Sequence, residues 1–352
     1  MLALATAGCD QTAREADKPI TPQAVTSPAP VAKGLLSAQS TADTSIKLPA
    51  DDVRQAFIAK PQPVLDSGAS VSILAASRKN QKPKALVEKL GRASALVFAK
   101  DGTLYFIGDH ENAIFAIQLD MTGKVIATSG VMSYVTPDDK TEPEPLYNTF
   151  EELSITPDGN LLTLRNRAYP FEINTETGEA RFLGFVLPDG TQINSVMDFD
   201  SVPNPAQWTF KKIYSFQGKV LLATAPYFSR EKYAVEPRKW FFNSPNARMK
   251  PVDNLSELPA SAYLLEFGSP DSTFAPDGYI YAIEKGKGKQ DHDRVIRIGA
   301  PGLSSLRKEA SRVTIAEFKH GELTGALAFS PKGELAVGAE NAIYLISPKA
   351  AK

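Results

Sequence analysis

Cysteine is almost absent. Cys9 is the only one in 352 residues, which excludes an internal disulfide and any multi-cysteine metal site. Histidine is nearly as scarce, at three residues, so imidazole chemistry has little to draw on. Neither sign of charge dominates: 39 Lys+Arg stand against 40 Asp+Glu, a formal net charge of -1. That balance removes the electrostatic drive toward nucleic acid, which is not expected as a partner. No apolar run approaches the roughly 18–20 residues of a membrane-spanning helix. Gly-x-Ser-x-Gly, P-loop and His-Glu-x-x-His motifs are also missing. What is present is the composition of a globular domain, 43% hydrophobic and 22% charged.

The lone cysteine has an informative setting. Leu4-Ala5-Thr6-Ala7-Gly8-Cys9-Asp10 follows a short apolar start and resembles the lipobox of bacterial lipoproteins, in which small residues precede a lipid-modified Cys. The resemblance implies lipidation of Cys9 and a place in the bacterial cell envelope, lipid-anchored or periplasmic. Residues 10–49 are rich in Pro, Ala, Ser and Thr and nearly free of aromatics. Such a segment buries too little apolar surface to offset its ordering entropy, and reads as a flexible spacer. The expected division is residues 1–49 as signal remnant and linker, then 50–352 as one folded domain, with 51–59 as a short helix.

One phrase recurs along the rest of the chain. Phe98-Ala99-Lys100-Asp101-Gly102 is followed by Ile155-Thr156-Pro157-Asp158-Gly159 and Tyr214-Ser215-Phe216-Gln217-Gly218. Phe274-Ala275-Pro276-Asp277-Gly278 and Phe329-Ser330-Pro331-Lys332-Gly333 complete the series. The glycines lie 57, 59, 60 and 55 residues apart. An apolar run precedes each phrase and a β-rich run follows it, so each is a hairpin turn whose Gly accepts positive φ. Third and fourth runs follow, as in Ala113–Ile117 and Val125–Thr128. Repeated four-stranded antiparallel units define a β-propeller blade, and the expected fold is an all-β propeller of five to six blades.

The blade phrasing around Asp101-Gly102 and Glu111-Asn112-Ala113-Ile114 resembles the NHL-repeat and gluconolactonase-like propeller families over most of residues 93–347. The last unit offers only three strands, 325–330, 334–339 and 342–347. Ala85–Leu90 is therefore expected to supply its fourth strand and latch the ring, since an open edge leaves backbone groups unpaired. Ser70–Ala76 is surplus to a five-blade count and could begin a sixth. Two insertions interrupt the pattern: 186–208 follows the second unit, and 225–260 sits inside the third, between strand-like 219–224 and 261–267. The second holds Tyr227, Phe228, Tyr233, Trp240, Phe241 and Phe242 and reads as a flap over one face or a buttress at the rim.

In blades whose strands run a to d outward, the a–b turns lie at one end. The b–c and d–a loops lie at the other, with the start of each innermost strand. Counting seven back from each glycine places Glu152, Lys211 and Asp271 there, at the channel mouth. Two carboxylates and an ammonium could bind a polar ligand or a divalent cation such as Ca²⁺. The gluconolactonase resemblance implies a metal-binding Glu at this place, with Glu152 or Glu151 as counterpart, although the Glu-Gly-Pro of those enzymes is replaced by Phe150-Glu151-Glu152-Leu153. Phe150–Gly159 also resembles a stretch of the phytase-like esterase propellers. The b–c loops add Asp109, His110, His292, Arg165 and Arg167, suited to acid–base, metal or anion contacts. Glu152, Lys211 and Asp271 could equally pair with one another or face channel water, and repeat-derived turn composition explains the loop residues as well. The leading expectation is a monomeric, membrane-tethered propeller that binds a small molecule or protein partner at the b–c/d–a face. The alternative is a metal-dependent hydrolase, of lactonase or phosphoesterase type, at the channel mouth.

Overall fold

The computed structural model describes residues 65, 68–76, 85–86, 91–108, 113–118, 123–128, 133–143, 149–166, 168–216, 219–225, 227–229, 234–236, 240–242, 248–252, 272–275, 279–298 and 312–348. All belong to the compact unit 46–352. No described helix is long and apolar enough to cross a membrane. The expected helix at 51–59 lies outside the described residues.

Five sheets of four or more strands follow one another along the described chain. Blade 1 comprises Ala93–Phe98, Leu104–Gly108, Ala113–Ile117 and Gly123–Thr128. Blade 2 comprises Phe150–Ile155, Leu161–Arg165, Tyr169–Ile173 and Ala180–Phe182. Its outer edge is extended by the hairpin Ser133–Val135/Thr141–Pro143, whose first strand pairs parallel with Ala180–Phe182. Blade 3 comprises Phe210–Phe216, Lys219–Thr224, Trp240–Phe242 and Lys250–Val252. Blade 4 comprises Ser272–Phe274, Ile280–Glu284, Asp293–Ile298 and Arg312–Phe318. Blade 5 begins with Leu323–Phe329, Leu335–Ala339 and Ala342–Ser347.

Burial shows how the sheets stack. A sheet with one wet face would alternate buried and exposed positions. Leu104–Gly108, Ala113–Ile117, Leu161–Arg165 and Leu335–Ala339 are instead buried at every position. Each of these blades is therefore covered on both faces. One core cluster joins blades 1, 2 and 3 through Ile107, Leu162 and Phe210. A second joins blades 1 and 5 through Phe106 and Ala336, and a third joins blades 4 and 5 through Tyr281 and Val337. The last blade thus packs against the first. The fold is a β-propeller.

Ring closure differs from expectation. Ser70–Ala76 supplies the fourth strand of blade 5, antiparallel to Ala342–Ser347 from Ser70↔Ser347 to Ala76↔Ala342. Ala85–Leu86 lies outside it as a short parallel fifth strand. The physical reason is composition. Ser70–Ala76 is uncharged and buries Leu74 and Ala75, whereas the run from Ala85 to Leu90 soon meets Glu88 and Lys89. The strand that looked surplus is spent on closure. Upstream of it Leu65 is fully buried, and its carbonyl accepts hydrogen bonds from Tyr281 Oη and Arg297 Nη1 of blade 4, at 3.4 and 3.1 Å.

The a–b turns follow one pattern in blades 1, 2 and 5. Ala99 N donates to Thr103 O, and Gly102 N donates to Ala99 O; the same pair of bonds recurs at Thr156/Gly159/Asn160 and Ser330/Gly333/Glu334. Gly102, Gly159 and Gly333 take φ of 92°, 91° and 81°, the left-handed closure of a type I turn with a bulge. Asp101 serves the turn: its carboxylate accepts from Thr103 N and Thr103 Oγ1, at 2.9 and 3.0 Å.

Both expected insertions contain regular structure among the described residues. Trp240–Phe242 and Lys250–Val252, inside the expected insertion 225–260, are strands of the blade 3 sheet; the strand-like run 261–267 lies outside the described residues. Between the second and third strands, the described residues add the hairpin Tyr227–Ser229/Ala234–Glu236. Phe241 is fully buried and meets Phe185, Trp208 and Phe210 edge-on. The aromatic content marked a core strand. In the other insertion, Phe185–Val186 pairs with Gln192–Ile193, followed by one short helix (Val196–Asp200). Ser195 Oγ caps that helix by accepting from Asp198 N.

Candidate functional site

Antiparallel order places the starts of the innermost strands at the end that carries the b–c and d–a loops. In four blades that start is irregular. Blade 1 pairs Ala93↔Gly108 and then Ala95↔Ile107, leaving Ser94 over. Blade 2 pairs Phe150↔Arg165 and then Glu152↔Leu164, leaving Glu151 over. Blade 3 pairs Phe210↔Thr224 and then Lys212↔Ala223, leaving Lys211 over. In blade 5 the register shifts between Leu323 and Leu327, around Gly325. A β-bulge takes a side chain out of the strand's alternation and re-aims it. Here the bulges recur at the same end of the innermost strands, and three of them carry Ser94, Glu151 and Lys211.

This register revises which residues correspond. Glu151 and Lys211 occupy equivalent bulged positions, and Glu152 and Lys212 occupy the next. The glycine count misaligned them because the blade 3 turn is shorter. Phe216 pairs with Lys219 across two residues, whereas Ile155 pairs with Leu161 across five.

The residues after the bulges meet across the gap between blades 2 and 3. Lys212 Nζ donates to Glu152 Oε2 at 2.7 Å, with the two side chains 24% and 17% exposed. Further along the same two strands, Ser215 N donates to Ser154 Oγ at 3.0 Å. Lys212, which the sequence reading missed, is the partner of Glu152, where Lys211 was expected. The adjacent Lys-Lys pair was the available signal. Across blades 5 and 1, Thr324 Oγ1 donates to Ala93 O. A Cβ on Gly338 would stand 2.6 Å from that same oxygen, so this contact requires glycine.

The other candidates are dispersed. Arg165 is 1% exposed, with its guanidinium 4.7 Å from the Phe150 ring centroid and 6.0 Å from that of Phe171. It is packed among core aromatics, where an exposed anion-binding loop was expected, because the strand Leu161–Arg165 runs one residue further than the turn. His292 is exposed at the blade 4 corner. Asp109, His110, Arg167, Asp271 and Cys9 lie outside the described residues.

Asp293, which follows His292, is fully buried. It accepts from Gly286 N at 3.0 Å and Leu323 N at 3.1 Å, with Lys285 Nζ at 3.8 Å. Burial alone would push its carboxyl up. The backbone donors of Gly286, Leu323 and Gly321 and the Lys285 ammonium outweigh that and hold it below the ordinary carboxylate value. Asp293 thereby ties the b–c loop of blade 4 to the first strand of blade 5.

A divalent cation does not fit the charged groups described here. Glu152 Oε2 already accepts from the Lys212 ammonium, and Asp271, the other expected ligand, lies outside the described residues. Among the described residues no group of three or more His, Cys, Asp or Glu could hold a metal ion.

The sequence matches no family model and no curated protein. Solved structures to which the chain is similar include a streptogramin B lyase, at 9% identity and a TM-score of 0.37, covering 80% of this chain and 98% of that one. A gluconolactonase from Xanthomonas campestris is similar at 8% identity and a TM-score of 0.38, covering 82% and 95%. The PQQ-bound aldose sugar dehydrogenase from Streptomyces coelicolor is similar at 12% identity and a TM-score of 0.37, covering 81% and 99%.

Proposed function

We propose that this propeller binds a small polar molecule at the channel mouth of its b–c/d–a face, and that it does so as a lipid-anchored protein of the bacterial envelope. The observation behind the first part is the recurrence of the bulges. Four innermost strands break register at the same end. Bulges concentrate at rims and beside sites because they re-aim side chains. The side chains so placed are Ser94, Glu151 and Lys211, a hydroxyl, a carboxylate and an ammonium. They suit a ligand with both donors and acceptors, such as a polyhydroxylated or zwitterionic small molecule. The Glu152–Lys212 pair beneath them holds the wall between blades 2 and 3. Binding without metal-dependent hydrolysis is favoured, because Lys212 occupies the carboxylate that a cation would need.

The test is a thermal-shift screen of the purified chain against sugars, sugar acids and amino acids. A hit whose stabilisation falls at least tenfold in affinity in Glu151→Gln and Lys211→Met, with the unliganded melting temperature kept, supports the site. A hit unaffected by both variants places binding elsewhere. The anchor is tested separately: mass spectrometry of the membrane fraction should find acylated Cys9, and Cys9→Ser should release the protein.

A further inference from the structure

The b–c loop of blade 4 carries the run Lys285-Gly286-Lys287-Gly288-Lys289. In the structure its backbone is held at several points. Gly286 N donates to Asp293 Oδ1, Lys287 N to Asp291 Oδ2 at 3.2 Å, and Asp291 N to Gly288 O at 2.8 Å. Lys285 reaches Asp293 and the carbonyl of Leu323. The loop also lies against the turn that joins blades 4 and 5. A Cβ on Gly286 would come within 2.9 Å of His320 Nδ1.

The charges at this corner are sorted. Asp293 is buried, Asp291 and Glu317 both accept from Arg294, and Glu322 accepts from Tyr344 Oη and Lys319 N. The ammonium groups of Lys287, Lys289 and Lys319 have no ion-pair partner among the described residues, and all three residues are exposed, as are His292 and His320. The acids thus each have a donor within the corner, while the three ammonium groups face outward from a fixed backbone.

We infer that this corner is a docking surface for an acidic segment of a protein partner. The pattern is discrete, with three lysines interleaved with Asp291, Glu317 and Glu322. Asp291 and Glu317 are already paired with Arg294, so the three ammonium groups are left to meet a partner's carboxylates one by one, at spacings that the clamped backbone fixes. The chain's net charge of -1 also supplies no long-range attraction to a membrane. Clamping of the loop lowers the ordering cost of contact. Two of the three histidines, His292 and His320, sit at this edge. The inference does not depend on the channel-mouth site, which lies on blades 1, 2 and 3.

The experiment uses the full chain carrying Cys9→Ser and a fluorescein-labelled deca-glutamate peptide, followed by anisotropy at low and at physiological salt. Binding is expected to weaken with salt and to fall about tenfold or more in Lys287→Glu/Lys289→Glu/Lys319→Glu. The control, Lys100→Glu/Lys332→Glu, alters exposed a–b turns at the opposite end and should bind as the parent does. An unchanged melting temperature in both variants separates docking from folding. Equal binding by the triple variant and parent, or no binding at low salt, overturns the inference. Sedimentation with phosphatidylglycerol vesicles in the absence of peptide binding overturns it in favour of a lipid surface.

Discussion

Asp293 carries its charge with no solvent exposure, so its contribution to stability depends on every donor around it. Because its folded pKa lies below the ordinary value, that contribution is complete above the unfolded pKa of ~3.9 and is lost as pH falls through the folded value. Asp293→Ala is expected to cost about 2–4 kcal/mol, since it strands the N–H groups of Gly286 and Leu323; chemical denaturation at pH 7 checks this. As pH falls below the unfolded value of ~3.9 the difference between variant and parent should shrink. A difference that stays constant as pH falls below that value would contradict the assignment. The Glu152–Lys212 pair is half shielded, and Lys212→Met is expected to cost about 1–2 kcal/mol. Lys211→Met, at the bulge, should stay within about 0.5 kcal/mol. A double-mutant cycle of Glu152→Gln with Lys212→Met should report coupling that Glu152→Gln with Lys211→Met does not.

At the scale of elements, the decisive piece is the strand Ser70–Ala76. It covers the edge of Ala342–Ser347, and the buried Leu65 upstream secures the chain to blade 4 as well. Deleting residues 70–76 should abolish the single cooperative melting transition and produce oligomers, because an uncovered edge pairs with other chains. Shortening Ala85–Leu86, which adds only two residue pairs, should have a much smaller effect. Calorimetry with light scattering distinguishes the two deletions. Turn chemistry was readable at this scale. Gly102, Gly159 and Gly333 adopt the positive φ that their phrases implied, because only the residue itself is involved. Strand assignment inside blade 3 was not readable, because Trp240–Phe242 and 261–267 are both apolar. Packing of Phe241 against Phe185 and Phe210 settles which of them extends the sheet beside Lys219–Thr224.

For the whole molecule, the arrangement of charge predicts behaviour toward metals. Addition of Ca²⁺ or of a chelator should shift the melting temperature by less than about 1 °C, since Lys212 already neutralises Glu152. A rise of several degrees with Ca²⁺, lost in Glu152→Gln, would restore the metal-dependent reading. Repetition is a property that sequence carries by itself: evenly spaced turn phrases and β-rich runs determined that the chain forms blades, and hence that a closed ring is the way to bury their faces. Tertiary structure decided the rest of the site. Seven residues back from a glycine is a fixed count, but the register across a hairpin depends on the length of its turn, and one shorter turn in blade 3 exchanges Lys211 for Lys212 as the partner of Glu152. The bulges at the channel mouth were invisible for the same reason. A bulge is a mismatch between two paired strands, and no single strand's sequence records it.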